Sequence, residues 1–260
     1  MSKVALCISG QPRRALETFP YIYSNIIQPN NADVFIHMHY DEDALYMEKS
    51  HADNGPCLLE RNIDKKVIEL YKPVQYLIEK PRNFSKLNLN CSEKRLENHK
   101  KMNQHKNWTD EEHKKYIFKN LISMYYSIFK ANELKEVYAN ENGILYDYVI
   151  RIRFDVIIQQ PLICSNHDPN FIYYAEIGQP DNLISDWINF GSNAIMNIYS
   201  SMFLNLEYIN TFQFYKKEER EENTLEPSDT YSGIYEHMLR DLMHLYKIPK
   251  RGFHLNTRLI

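Results

Sequence analysis

The sequence predicts an α/β domain: a mostly parallel central sheet with helices on both faces. Two observations carry this. Short apolar runs of strand character, Lys3 to Ser9, Asp33 to Tyr40 and Val74 to Ile78, alternate with stretches of helical periodicity, and strands separated by helices pair in parallel within one layer. A further run, Tyr146 to Ile158, is apolar along one whole face and turns polar only on the other, in its second half. With 260 residues, 43% of them hydrophobic and 25% charged, the chain is long enough to bury a core of that kind.

The elements follow in order. Lys3 to Ser9 ends in Gly10-Gln11-Pro12, a strand running into a turn. Arg14 to Ile27 reads as a helix interrupted at Pro20, and Asp33 to Tyr40 as the second strand. Lys65 to Leu70 is helical and Val74 to Ile78 is the third strand. From Pro81 to Trp108 periodicity is lost and Asn, Lys and Ser accumulate, which marks an insertion or mobile loop (residues 81–108) long enough to serve function. Thr109-Asp110-Glu111-Glu112 is a capping box, with Thr109 as N-cap and Glu112 three residues on. The helix it starts places Ile117, Leu121, Met124, Tyr125, Ile128 and Leu134 at helical spacing and ends near Gly143. The run from Tyr146 to Ile158 is then one long strand. Beyond Pro161, Phe171 to Ala175 and Trp187 to Phe190 are short strands around the loop Glu176 to Asp186. Ser192 to Leu206 is a helix, Tyr215 to Glu226 a charge-rich connection, and Asp229 to Tyr246 a last helix. Gly252 to Leu255 forms a final strand or lies across the site. There is no internal repeat and no clear linker, so a single domain is expected.

Composition excludes several classes. The net charge of −3 argues against a nucleic-acid partner, and the one lysine-rich stretch, around Lys94 to Lys115, is broken by Glu97 and by Asp110 to Glu112. No apolar run reaches the ~18–20 residues of a membrane span. The apolar stretch Val4 to Gly10 is too short for a signal peptide, and Arg13-Arg14 follow it rather than precede it. A soluble cytoplasmic protein is therefore expected. Cys7, Cys57, Cys91 and Cys164 are scattered with no C-x-x-C spacing and read as free thiols. The sequons at Asn83, Asn90 and Asn107 then have no role.

Three strand ends carry chemistry. In the run from Tyr146, alternation puts Arg151, Arg153 and Asp155 on one face and Ile150, Ile152, Phe154 and Val156 on the other. Buried charges need partners. A divalent ion on Asp155 and a diphosphate on the arginines would supply them, because hard cations take one or two carboxylates plus substrate phosphate. The alternative is a purely structural Arg–Asp network. The first strand ends in Ser9, Gly10, Gln11 and Arg13; Gly10 permits close backbone approach and the arginines offer forked donors to phosphate. No Walker loop or G-x-G-x-x-G is present, which disfavours an ATPase or a Rossmann dehydrogenase. The second strand ends in His37-Met38-His39. This H-x-H pair lines a sugar or nucleotide pocket or is incidental; it lacks a third zinc ligand at a recognisable spacing.

Four stretches together resemble small GT-A-type glycosyltransferases of the kind found in bacterial polysaccharide loci and large DNA viruses. They are Ala5-Leu6-Cys7-Ile8-Ser9-Gly10-Gln11-Pro12-Arg13, Ala32-Asp33-Val34-Phe35-Ile36-His37, Tyr148-Val149-Ile150-Arg151-Ile152-Arg153-Phe154-Asp155, and Ile184-Ser185-Asp186-Trp187-Ile188-Asn189-Phe190-Gly191-Ser192. The resemblance implies a GT-A-like, Rossmann-type sheet with a nucleotide-sugar-binding half (1–160) and an acceptor-binding half (161–260). It implies transfer of a sugar from a nucleoside diphosphate donor, a UDP-sugar, to a glycan hydroxyl, with inversion. Ser9, Gly10, Gln11, Arg13, His37, Arg151 and Arg153 would bind the donor. Such enzymes hold Mn²⁺ or Mg²⁺ on a D-x-D element; here Arg153 stands at the first carboxylate, able to replace part of the metal's charge, and Asp155 at the second, with His254 completing the metal site. Asp186 is the first candidate for catalytic base, with Asp229 and Glu226 behind it, and residues 81–108 would form a lid over the donor. If the chain is viral, the location becomes the host cytoplasm. The rival readings are a sugar- or nucleotide-binding protein without catalysis and a sulfotransferase-like enzyme.

Overall fold

The computed structural model describes residues 2–47, 57–84, 87, 89, 91, 93–103, 105–176, 184–210, 234–253 and 257–259. In chain order its elements are β1 (Val4–Gly10), α1 (Ala15–Ile22) continuing through a π turn (Tyr23–Ile27) into α2 (Gln28–Asn30), β2 (Asp33–His39), β3 (Tyr46–Met47), β4 (Cys57–Leu58), α3 (Ile63–Tyr71) and β5 (Gln75–Glu79). There follow α4 (Glu93–Met102), α5 (Asp110–Asn142), β6 (Tyr148–Ile152), β7 (Val156–Ile158), β8 (Ile172–Ala175), β9 (Ile188–Ser192), α6 (Asn193–Ser200), α7 (202–210), α8 (Ile234–Leu245), β10 (Lys250–Phe253) and β11 (Thr257–Leu259).

Seven strands form the central sheet in the order β10-β8-β9-β6-β1-β2-β5. Every neighbouring pair is parallel except those of β9, which runs against both β6 and β8. The expected architecture, a mostly parallel α/β sheet covered by helices on both faces, is the one observed.

Strand periodicity explains the two cores. Ala5, Cys7, Phe35 and Val149 face α5, where they meet Leu121, Tyr125, Ile128 and Ala131. Their neighbours Leu6, Ile8, Val34, Ile36, Ile150 and Ile152 face the opposite side and pack with Ala15 and Ile22 of α1 and Ile63, Val67 and Tyr71 of α3. Each buried Leu, Ile or Val contributes about 1.5–3 kcal/mol, and both faces of the central strands are used. α5 begins at the predicted capping box: Glu112 N–H donates to Thr109 Oγ1 at 3.3 Å and Thr109 N–H to Glu112 Oε2 at 2.7 Å. It ends at Gly143, whose φ of +63° suits glycine. No helix among the described residues is long and apolar enough to cross a membrane. Among those residues Cys7 and Cys164 are free thiols, and burial pushes both up to about 12.

Several elements depart from expectation. The first helix passes through Pro20, and its irregularity is the π turn that follows. Inside the 81–108 stretch lies α4, a helix whose sequence is polar around its circumference and which touches the core through Leu96. Such a helix leaves no apolar period to read. The predicted helix from Ser192 breaks after Ser200 into α6 and α7. The long strand from Tyr146 also breaks. β6 stops at Ile152, the chain turns over Arg153 to Asp155, and β7 pairs antiparallel with β11 instead of the central sheet. Two bonds hold the turn: Arg153 N–H reaches the Trp187 carbonyl at 3.3 Å, and Thr18 Oγ1 donates to the Phe154 carbonyl at 2.6 Å. Ile150, Ile152, Phe154 and Val156 still share one core, as their alternation predicted. The Tyr215–Glu226 connection lies outside the described residues.

Candidate active site

The chain builds β1, β2 and β5 in one direction across the sheet, then returns through α5 to lay β6 on the other flank of β1. The boundary between β1 and β6 is therefore the point where the strand order reverses. In open α/β sheets ligands bind outside the carboxyl ends of the strands at such a point. Arg13 follows β1 there, and Arg151, Arg153 and Asp155 end β6 or follow it.

These residues form one charged cluster. Arg153 Nε and Nη2 donate to Asp155 Oδ1 and Oδ2 at 2.9 and 2.8 Å, a two-bond fork. Its remaining Nη1 donates to Asp186 Oδ2 at 3.1 Å. Arg13 Nη2 stands 3.7 Å from Asp155 Oδ2. Arg151, paired in register with Asn189, donates through Nη1 to the Asp186 backbone carbonyl. Arg151 and Asp155 are buried, whereas the side chains of Arg153 and Arg13 are each 20% exposed. Burial alone would raise the Asp155 pKa; the Arg153 charge, its hydrogen bonds and Arg13 outweigh that and hold it below the ordinary value. Burial likewise opposes charge on Arg153, and Asp186 and Asp155 together push its pKa above the usual value.

The frame behind the cluster comes from the approach to β9. Asn189 Nδ2 donates to the Ser185 carbonyl at 2.8 Å and its Oδ1 accepts from Tyr199 of α6 at 2.7 Å. Ser185 Oγ accepts the Trp187 N–H at 3.2 Å. Asp186 is thereby set on a short tied segment with both its carbonyl and its carboxylate on arginines.

At the end of β1, Gly10 has φ +125°, a conformation that only glycine adopts without strain, and no atom lies within 4 Å of where a Cβ would stand. Its conservation of backbone freedom, and not a close neighbour, is thus what the position requires. Ser9 is buried and its Oγ has no hydrogen-bond partner among the described residues. Gln11 is half-buried beside it. His37 lies deeper than expected. It is 0% exposed, with Nδ1 2.6 Å from Ser127 Oγ and Nε2 3.0 Å from Glu79 Oε1. His254 and Asp229, with Glu226, lie outside the described residues.

The structure adds residues that pattern reading passed over. Thr18 of α1 anchors the turn between Arg153 and Asp155. Its polar side chain on a buried helix face was the available signal. Glu79 ends β5 opposite His39 in the β2–β5 register; a carboxylate at a third strand end was legible in the sequence. A surface groove between α1 and α3, lined by Leu16, Phe19, Tyr23, Lys66 and Leu70, contains none of the charged cluster.

The divalent ion that the resemblance implies does not fit Asp155 as arranged. Both of its oxygens sit in the Arg153 fork with Arg13 beside them, and an ion there would have to displace a guanidinium.

No protein-family model matches the chain, and no curated protein matches it. Among solved structures it is similar to the apo form of the glycosyltransferase GlyE of Streptococcus pneumoniae TIGR4, with TM-score 0.37 and 11% identity over 96% of this chain and 45% of that one. It is also similar to a glycosyltransferase involved in glycosylation of the major capsid of PBCV-1, with TM-score 0.30 and 12% identity over 97% of this chain and 80% of that one. A third is the galactosyltransferase LgtC in complex with donor and acceptor sugar analogues, with TM-score 0.39 and 10% identity over 90% and 71%. The chain spans less than half the length of the pneumococcal protein. All three of these structural neighbours are glycosyltransferases, the class that the sequence stretches resemble.

Proposed function

We propose that this protein is a glycosyltransferase that moves a sugar from a nucleoside diphosphate donor, a UDP-sugar, to a glycan hydroxyl with inversion. The observation that carries the reading is the placement of Arg13 and Arg153 at the β1–β6 switch point, both partly exposed and both against the buried Asp155 carboxylate. Arg153 is held on two sides by Asp155 and Asp186. It therefore needs little reorganisation when a diphosphate leaves, and fixed charge of this kind stabilises developing negative charge most effectively. Arg13 would take the second phosphate, with the Ser9–Gln11 backbone beneath it.

In the reaction the acceptor oxygen bonds to the sugar anomeric carbon as the anomeric carbon–phosphate oxygen bond breaks. The bond's electron pair leaves on the diphosphate, and the hydroxyl proton passes to a carboxylate. Asp186 is the proposed base; its Oδ2 takes an Arg153 bond, and Arg151 fixes its backbone. Charge neutralisation falls to Arg13 and Arg153, and no step is assigned to a metal at Asp155.

Calorimetry against UDP, GDP, CDP and adenosine 3′,5′-bisphosphate, with a UDP-release assay, tests this. UDP binding that weakens about tenfold or more in Arg13→Gln supports it, a single charge-assisted bond being worth about 1.5–3 kcal/mol. Binding of the bisphosphate alone overturns it in favour of sulfuryl transfer. Glycan binding that needs no nucleotide, with no UDP released, makes the protein a binding module.

A further inference from the structure

We propose that His37, His39 and Glu79 form a binding site for one transition-metal dication of the zinc class, separate from the charged cluster at the β1–β6 boundary. One ligand atom from each lies within 4.8 Å of the other two. The topology brings them together. His37 and His39 alternate onto the same face of β2, and the register sets Glu79 of β5 directly opposite His39. Imidazole and carboxylate together suit zinc and its neighbours, whose sites commonly take two histidines, one carboxylate and an open fourth position.

His39 is the observation that points to a ligand. It is 3% exposed, and neither ring nitrogen makes a well-aligned hydrogen bond among the described residues; the Ser123 backbone approaches without good alignment. Buried polar atoms are normally satisfied, and a buried imidazole with no well-aligned partner among the described residues calls for an explanation. Its ring lies 4.8 Å from that of His37, edge to face, so the two rings converge. His37 Nε2 and Glu79 Oε1 are 3.0 Å apart, close to the spacing of two ligands on one tetrahedral ion with bonds of about 2.0–2.2 Å.

The surroundings fit a metal centre. Ser127 Oγ, 2.6 Å from His37 Nδ1, can donate to that nitrogen or accept from it. The metal-free protein uses Nε2–H on Glu79 with the hydroxyl donating. The loaded protein needs Nδ1–H, and the same hydroxyl turns to accept it, the outer-shell bond that metal-bound histidines carry. Arg82 holds the other oxygen, Glu79 Oε2, through Nε at 3.1 Å and Nη2 at 2.7 Å, and Tyr126 also bonds this carboxylate, so its orientation is fixed from outside the site. The site joins β2 and β5 to α5, so its metal would brace the edge of the sheet. This inference does not depend on the glycosyl-transfer reading.

The test uses the full chain, stripped with a chelator and then dialysed against zinc or cobalt. Elemental analysis is expected to return about one zinc per chain, and cobalt to give the visible absorption of a four-coordinate site. His39→Gln and Glu79→Gln are each expected to lose the stoichiometry and the cobalt spectrum while keeping native far-ultraviolet dichroism. His99→Gln should retain both, because His99 and His113, with Nδ1 atoms 2.9 Å apart, are the competing pair among the described residues. A wild-type protein that takes up neither ion overturns the proposal. So does retention in both ligand variants, or loss on His99→Gln.

Discussion

Arg153 grips the carboxylate of Asp155, two residues further along the chain, with two parallel bonds of 2.9 and 2.8 Å. Both residues lie just past the end of β6 at Ile152, where the chain turns through Phe154 and Asp155. Arg153→Lys keeps the charge but not the planar fork. It is expected to cost about 1–3 kcal/mol in urea denaturation and to lower UDP release at least ~100-fold, the scale seen when one preorganised donor to a developing anion is lost. Unchanged release would remove Arg153 from the proposed chemistry.

Acid stability reports the same pair. The folded-state pKa of Asp155 lies below its unfolded value, so its contribution is fully present above the ordinary carboxylate range. It is lost as pH falls from about 5 through the depressed folded value. The urea midpoint of the wild type should therefore drop over this interval. Asp155→Asn, which has no carboxyl to protonate there, should show a shallower acid limb from a lower starting stability.

Thr18 acts on the site through the backbone. Its hydroxyl donates to the Phe154 carbonyl at 2.6 Å and lies 3.4 Å from Tyr71 Oη. Thr18→Val preserves the shape and strands that carbonyl, at an expected cost of about 1–3 kcal/mol. UDP affinity should fall while Thr18→Ser restores it; a variant that loses stability alone would make Thr18 a packing residue.

Asn30 is a control whose bonds involve none of the charged cluster. Its Nδ2 donates to the Ile26 and Leu162 carbonyls at 2.8 and 2.6 Å, and its Oδ1 accepts the Cys164 N–H at 3.0 Å. Asn30→Ala leaves buried backbone groups unpaired and should lower stability by about 2–3 kcal/mol. UDP release per folded molecule, measured well below the melting temperature, should stay at the wild-type level.

Local signals in the sequence were read well. The Thr109–Glu112 box and the apolar stripe from Ile117 located α5, because capping and helical periodicity involve residues within a few positions of each other. The three central-sheet strands before it, β1, β2 and β5, were placed within a residue or two for the same reason, whereas the two-residue strands β3 and β4 are too short to carry a period. α4 leaves no such signal, because Leu96, its core contact among the described side chains, makes no period on its own. The break after Ile152 was missed for the opposite reason: Ile150, Ile152, Phe154 and Val156 keep their alternation across the turn, since all four still face one core.

The sequence alone determined that this chain forms a mostly parallel α/β sheet, with Arg13 just past its first strand and His37 near the end of its second. Hydrophobic period and chain order are enough for that. Partnership was decided only by tertiary structure. Arg153 meets Asp186 across 33 positions, and His37 meets Glu79 across 42. Strand order and register place those groups within bonding distance, and neither is written in local spacing.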